Sequence, residues 1–533
     1  MVRRNIRSVV AAAILLVAGC SSTHRVETPD LTSGPGSGLS KKEGQRVEGY
    51  TSIDGKYHKT RDGRARFHGP DTLEIEAPTK WEPSFGAPGA PHGKLGRRLI
   101  PRDSIASLDL VHSSAVKSAL GIVSLAAIAA GVIIVAECCP YLYSWDGTQY
   151  VLDGEPYGGA TTKSLERTDW SRLERIAEDR GRYRVLLTNE LAETQHTNSL
   201  QLMTVDHDPA CDVILDRDGT PHAFRTVVPL ADARDERDRD LLVWLRDDDH
   251  VVWYPNLMEY AQEDHLSDTR NHLTLTFPRP ARSDRVYLVT RAATGPFGSH
   301  MIRTMLGMRG NQVDAFYAAI DHVGFFRDRL LAWNAREELF HLAVEVETAS
   351  GWKRQDFIPG GGPLVSECRA IPIDLAGVPG DRVRIRIHPP IGFWSFNFFE
   401  LAFDESRIDR TIVAAKTARD QDGTDVRRRL LADDKTYLDA ASRNQWTEID
   451  FPVPPRRSSN LVRTVFARTR GWYRLDLGPQ GPPDAKELDR LTNEPGYAVR
   501  RELEDLKKQR ALAEGSSAEL TIAARATATA TSK

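Results

Sequence analysis

From Tyr141 onward the chain is dominated by alternation. Leu273, Leu275 and Phe277 alternate with polar residues in HLTLTF, Val286 and Leu288 do so in RVYLVT, and Leu342, Val344 and Val346 in HLAVEVE. The cleanest run is RVRIRIH, where Val383, Ile385 and Ile387 alternate with Arg384, Arg386 and His388. A period of two sends successive side chains to opposite faces, so each run predicts a half-buried strand of an antiparallel sheet. Tyr473, Leu475 and Leu477 predict another near the end. In YSWDGTQYVLDG, Tyr141, Tyr143 and Trp145 face Tyr150 and Leu152 across Asp146-Gly147, a hairpin with aromatic cross-strand pairs. Before residue 115 a small β-rich unit is expected, with a turn at Asp54-Gly55 and short strands in DTLEIE and SIASLDLV.

Other stretches break the alternation. Val313, Phe316, Tyr317, Ile320, Val323 and Leu330 recur at helical spacing between Asn311 and Trp333. Met301, Met305 and Met308 precede them and read as core filler rather than a cofactor site. Residues 497–514 form a charged helix, followed by the low-complexity tail ARATATATSK. Ser118 to Ala136 runs 19 residues without a charge, and its nine Leu, Ile or Val residues favour bilayer insertion by roughly 3–5 kcal/mol in sum. Three readings stand for it: a span made in an outer-membrane oligomer, a helix lying in the leaflet, or a helix buried in the fold. The fold class expected is mainly β: multi-domain antiparallel sandwiches with a small N-terminal β unit, one apolar helix and short helical insertions. The expected divisions are a signal peptide at 1–20, a tether at 21–48, the β unit at 49–114 and the apolar helix at 115–137. A β-rich domain at 138–298, a helical insertion at 299–335, a sandwich region at 336–495 and a terminal helix and tail at 496–533 complete the order.

The 533 residues carry 71 Lys+Arg against 74 Asp+Glu, a net charge of −3 with 27% charged residues. That balance excludes a disordered chain and gives no electrostatic footprint for nucleic acid. Cys20, Cys138, Cys139, Cys211 and Cys368 are too few for a disulfide scaffold, although Cys211 and Cys368 could pair in an oxidising compartment. They also lack the spacing of a zinc site, and no cofactor is expected.

The first 20 residues place Arg3, Arg4 and Arg7 before the apolar run Val9–Ala18 and end in Val17-Ala18-Gly19-Cys20. This resembles a bacterial lipobox. The resemblance implies cleavage before Cys20 and acylation of that residue, giving the two lipid signals that stable anchoring requires. Ser21, where an Asp would retain the protein at the inner membrane, implies the outer membrane of a Gram-negative cell. The implied partner is membrane lipid, with an envelope protein, a second copy of the chain or a glycan as further candidates. An outward Cys20 conflicts with a span at Ser118–Ala136, because Arg97, Arg98, Arg102 and Lys117 precede it and Glu137, Asp146 and Asp153 follow.

YSWDGTQYVLDGEPYGGA (143–160), with LERTDW (165–170) and LLTNELAETQHTNSLQLMTVDHD (186–208), resembles a recurrent segment of bacterial envelope proteins, which implies kinship without an activity. IPIDLAGVPGDRVRIRI followed by GFWSFNFFEL, within 338–404, is similar to the closing strands of galactose-binding-like jelly rolls. That likeness implies binding of glycans or proteins through loops at one end.

Candidate chemistry is thin. Asp146, Asp153 and Glu155 are oxygen ligands of the kind calcium takes, without the spacing of a calcium hand, and turn chemistry is the stronger reading. Asp206-His207-Asp208, Asp247-Asp248-Asp249-His250 and the charged run 232–240 read as solvated turns and loops. Neither GxSxG nor HExxH occurs. Gly298-Ser299-His300 and the pair Glu190 and Glu193 supply catalytic residue types without a fixed geometry. Trp352, Arg386, Phe393 and Trp394 are the candidate binding residues, with core packing as the competing reading of the aromatics. The reading that results is a lipid-anchored envelope protein acting as a non-enzymatic scaffold or binding component. A periplasmic hydrolase of envelope glycans is the alternative.

Overall fold

The structure, a computed structural model, describes residues 22–27, 45–52, 57–67, 72–78, 95–101, 105–112 and 139–511, without 250, 264, 265, 267, 282, 407, 479 and 480. Cys20 and Ser118–Ala136 lie outside the described residues. Among the described residues, no helix is long and apolar enough to cross a membrane. The protein is mainly β, built of several antiparallel sheets with few helices. It divides into two compact units, 1–122 with 249–251, and 123–248 with 252–533.

The first unit is a six-stranded antiparallel sheet in the order Ser22–Glu27, Ile105–His112, Gln45–Ser52, Tyr57–Phe67, Thr72–Pro78, Leu95–Pro101. The strands flanking Asp54-Gly55 pair through Thr51 and Tyr57, as the turn signal requires. Ser22–Glu27, expected within the tether, instead pairs along its whole length with Ile105–His112. An edge strand needs only a free backbone ladder to join, and that requirement leaves no mark in composition.

In the second unit, two sheets face each other across one core. The order in one is Thr417–Asp420, Gln445–Pro452, Arg182–Asn189, Tyr141–Trp145, Tyr150–Gly154; in the other it is Asp409–Ala414, Glu193–His207, Val462–Leu475, Arg167–Arg172. Leu142, Val185, Ile449 and Phe451 of the first meet Leu200, Leu202, Val413 and Val465 of the second in a single buried cluster. A second core joins a closed barrel to another five-stranded sheet. The barrel runs Asp212–Leu215, Pro221–Pro229, Trp394–Ser406, Arg285–Thr294, Glu367–Asp374; the sheet runs Asp232–Arg234, Leu273–Pro278, Arg382–Ile387, His341–Thr348, Gly351–Pro359. Leu288, Ile371 and Phe399 of the barrel share that core with Phe277, Val344 and Ile385 of the sheet. Val383, Ile385 and Ile387 are all fully buried, so the alternation in RVRIRIH does separate an inner from an outer face.

Every sheet of this unit mixes early and late strands. Arg182–Asn189 pairs with Gln445–Pro452, Glu193–His207 with Val462–Leu475, and Leu273–Pro278 with Arg382–Ile387. Residues 138–298 and 336–495 are therefore interleaved rather than successive domains. Alternation marks a strand's buried face but carries no information about its partner.

The hairpin at Asp146-Gly147 forms as expected. Asp146 Oδ1 accepts the amides of Thr148 at 2.8 Å and Gln149 at 2.9 Å, and Gly147 takes φ +96°. Trp145 and Tyr150 meet edge to face at 5.3 Å.

The helices are α1 Leu242–Leu245, α2 Leu257–Ala261, α3 Pro296–Gly307, α4 Val313–His322, α5 Gly324–Glu337 and α6 Ala485–Asn493, followed by α7 over 497–511. Met301, Met305 and Met308 are buried in the larger core, as core filler should be.

The segment Glu155–Ala160 is a junction between these elements. The buried Glu155 carboxylate accepts the amides of Leu364 and Val365, each at 2.6 Å. Tyr157 is fully buried at φ +70°, its amide donating to Asp169 at 2.6 Å. Its ring lies against Gly471, where an added Cβ would come within 2.8 Å of it. At Gly158 an added Cβ would stand 2.3 Å from the Gly361 carbonyl oxygen, and at Gly362 it would stand 2.4 Å from Glu155 Cβ. Two glycine-rich loops thus touch backbone to backbone. The next residues, Gly159 and Thr161, face the site described below.

Candidate binding site

A cleft of about 490 Å³ opens beside this junction. Its wall is mostly apolar: Leu165 near the junction, Ile302, Met305 and Leu306 of α3, Ala315, Phe316 and Ala319 of α4, and Phe326, Leu330 and Trp333 of α5. Phe340 and, from α6, Leu488 and Leu491 complete it. The polar lining consists of Thr161, Arg309, Gln312, Arg329, Asn334 and Thr492, with no Asp or Glu among the lining residues.

Hydrogen bonds at its base hold the α4–α5 pair over the cleft. Asp321, next to the end of α4, accepts the Thr162 hydroxyl and the Ser164 amide, the latter at 2.8 Å. Near the end of α5, Trp333 Nε1 donates to the Leu491 carbonyl at 2.9 Å, and Arg336 donates to the Thr492 carbonyl at 3.0 Å. Those carbonyls belong to the last turn of α6, which lacks intrahelical partners and favours donors and cations.

Helical spacing placed 311–333 as one packed stretch; the structure breaks it at Val323 and leaves much of α5 in water. Tyr317 and Ile320 of α4 are buried, whereas Phe325 is 63% exposed and Val323, Phe326 and Leu331 are exposed beside it. An apolar tip of this kind marks a contact surface more often than a folding error.

Two guanidiniums line the cleft without an acidic partner. Arg309 lies flat on Phe316, its Cζ 3.3 Å from the ring centroid. Burial pulls its pKa down to about 10, with Tyr317 acting in the opposite direction. Arg329 stands 5.7 Å from the ring centroid of Phe325. Among the described residues neither side chain makes an ion pair, although the protein pairs arginine with carboxylate at many other places.

Set against known proteins, the chain matches no family model, no curated protein and no solved structure.

The residues singled out in the sequence lie elsewhere. Phe393 and Trp394 are buried to within 1% exposure, so they are core and not a binding surface. At the start of the strand Trp394–Ser406 residues 394–399 are all buried, so both faces are covered there. Phe393 meets the cleft-lining Phe340 ring edge to face at 5.5 Å. Trp352 and Arg386 do come together, the guanidinium 4.4 Å from the ring, on the outer face of their sheet. Arg386 also pairs with Glu345 there, and Arg384 with Glu347 at 2.9 Å, forming a charge ladder across strands.

The remaining candidates have structural partners. Asp153 accepts the Ser144 hydroxyl, and together with Asp146 and Glu155 it forms no metal cluster among the described residues. Asp206 is held by both arms of Arg463, and Asp248 pairs with Arg291 at 3.0 Å. Asp235, expected in a solvated loop, is buried and paired with Arg239. Glu190 accepts from Tyr143 at 2.7 Å, whereas Glu193 is buried against the Cys139 amide. Ser299 is buried in α3, and His300 lies 3.4 Å from Glu502. Cys211 and Cys368 are both free thiols. The sequence signal that could have found the cleft is the run of large apolar residues on α5, Phe325, Phe326, Leu330, Leu331 and Trp333, beside few positions that can bury them.

Proposed function

We propose that this chain is a non-enzymatic binding component of the bacterial cell envelope, anchored by acyl chains on Cys20, with the β-sheets serving as a rigid frame for the cleft. The observation that carries the reading is an apolar cleft of about 490 Å³ bearing two unpaired guanidiniums. Its size falls within the roughly 300–1,000 Å³ usual for small-molecule sites, and its few polar groups on an apolar wall are the usual composition of such sites. Hydrolysis of glycans would call for two carboxylates about 5–10 Å apart in the groove, and this lining contains none.

Full-length protein recovered from detergent-solubilised membranes, extracted with organic solvent and analysed by mass spectrometry, tests the reading. A small molecule retained near stoichiometry by the native chain but lost from Ala319→Trp, whose indole fills the cleft, is the expected result. A protein companion with no small molecule in either extract would replace binding with scaffolding. Cys20→Ala should shift the protein from the membrane fraction to the soluble fraction.

A further inference from the structure

We propose that the occupant of the cleft is a long-chain fatty acid, its alkyl chain lying along the α3, α4 and α5 wall and its carboxylate on the Arg309 guanidinium, with Arg329 as a second cation. This assignment rests on reading the cleft as a binding site.

Three properties of the lining select that chemistry. First, charge: two arginines and no carboxylate give a locally uncompensated positive site, which suits an anion and disfavours amines or metal ions. Second, polarity: only Thr161, Gln312, Asn334 and Thr492 join the arginines as polar side chains, too few to satisfy the hydroxyls of a buried sugar. The rest of the wall rewards an alkyl chain, each buried methylene contributing a several-fold gain in affinity. Third, volume: about 490 Å³ along an apolar wall is room for a long alkyl chain and far more than a small anion needs.

The state of Arg309 agrees with this. It is partly desolvated, stacked on Phe316 and without a counter-ion, so an arriving carboxylate supplies the charge pair that the fold leaves out. Arginine's planar fork also fits a carboxylate through two parallel hydrogen bonds.

Equilibrium dialysis of the full chain, held in an amphipathic polymer without detergent, against radiolabelled palmitate, hexadecanol and octanoate provides the test. Ala319→Trp supplies the background for uptake outside the cleft. Palmitate should bind near one per chain, at least tenfold tighter than either hexadecanol or octanoate. Arg309→Gln should weaken palmitate by about thirtyfold, the effect of losing one buried charge pair, and leave hexadecanol unchanged. Arg309→Lys should recover most of the loss, which separates a missing charge from a misfolded variant.

Equal binding of palmitate and hexadecanol, both abolished by Ala319→Trp, would overturn the fatty acid while leaving the binding-site reading in place. Lysophosphatidate dialysed as a fourth probe and bound tighter than palmitate would overturn it in the same way. No probe above the Ala319→Trp background would overturn the fatty acid, and an empty organic extract alongside it would remove the binding reading as well.

Discussion

At Gly158 and Gly362 one added carbon acts directly on the fold. The Cβ of an alanine at 158 would meet a backbone carbonyl at 2.3 Å, and a carbonyl in a packed junction has nowhere to go. Gly158→Ala should therefore cost about 1–3 kcal/mol in a denaturant titration, the usual penalty for overpacking. Gly307→Ala, in α3 with open space around its Cβ, should change stability by less than about 1 kcal/mol and in the stabilising direction. Glu155 acts through charge. Burial raises its pKa from 4.5 to about 8 against the pull of two amides. Between those values the folded chain holds a proton that the unfolded chain has lost, so stability falls as pH rises from about 5 to 8. Asp153, Glu400 and Glu502, each raised by burial to about 7, add to the same slope. Glu155→Gln, which cannot ionise, should visibly flatten the slope when denaturation midpoints are compared at pH 5, 6.5 and 8. An unchanged slope would mean that Glu155 titrates near its ordinary value.

Among the elements, α4 and α5 are fixed less firmly than the sheets beside them. Their apolar residues are divided between the cleft wall and water, and the Asp321 and Trp333 bonds tie them down at the base. Asp321→Ala takes away the acceptor of the buried Thr162 hydroxyl and leaves the Ser164 amide only its longer 3.4 Å bond to Thr162 Oγ1, a loss of about 1–3 kcal/mol. Faster amide exchange across 313–337, with rates in Glu193–His207 and Val462–Leu475 unchanged, is the expected pattern. Uniformly faster exchange would mean instead that the pair is part of the global folding core. The helical spacing of 311–333 marked a helical stretch here, but neither its break at Val323 nor the cleft it lines. Phe325 and Phe326 cannot be told from core residues by spacing, since burial depends on what packs opposite.

For the whole molecule, interleaving decides cooperativity. Each sheet of the larger unit takes strands from both sides of the helices, so neither 138–298 nor 336–495 holds a complete sheet. Expressed alone, 138–298 should lack a cooperative thermal transition by circular dichroism, whereas the region 139–511 should unfold in a single step. A sharp transition in the isolated fragment would show that the early strands find other partners. Long-range pairing of this sort also predicts slow folding, because loop closure precedes the contacts that reward it.

Much of this protein was determined locally. Alternation fixed which residues of RVRIRIH and HLTLTF face inward, Asp146-Gly147 fixed a hairpin, and the methionines fell in the core, because side-chain direction and turn geometry depend on a few neighbouring residues. What brings Arg182–Asn189 to Gln445–Pro452, Gly158 to Gly361 and Arg309 into a cleft with Trp333 is the tertiary structure. Backbone ladders accept any strand of matching register. An arginine is left without a counter-ion only by the arrangement of every element around it.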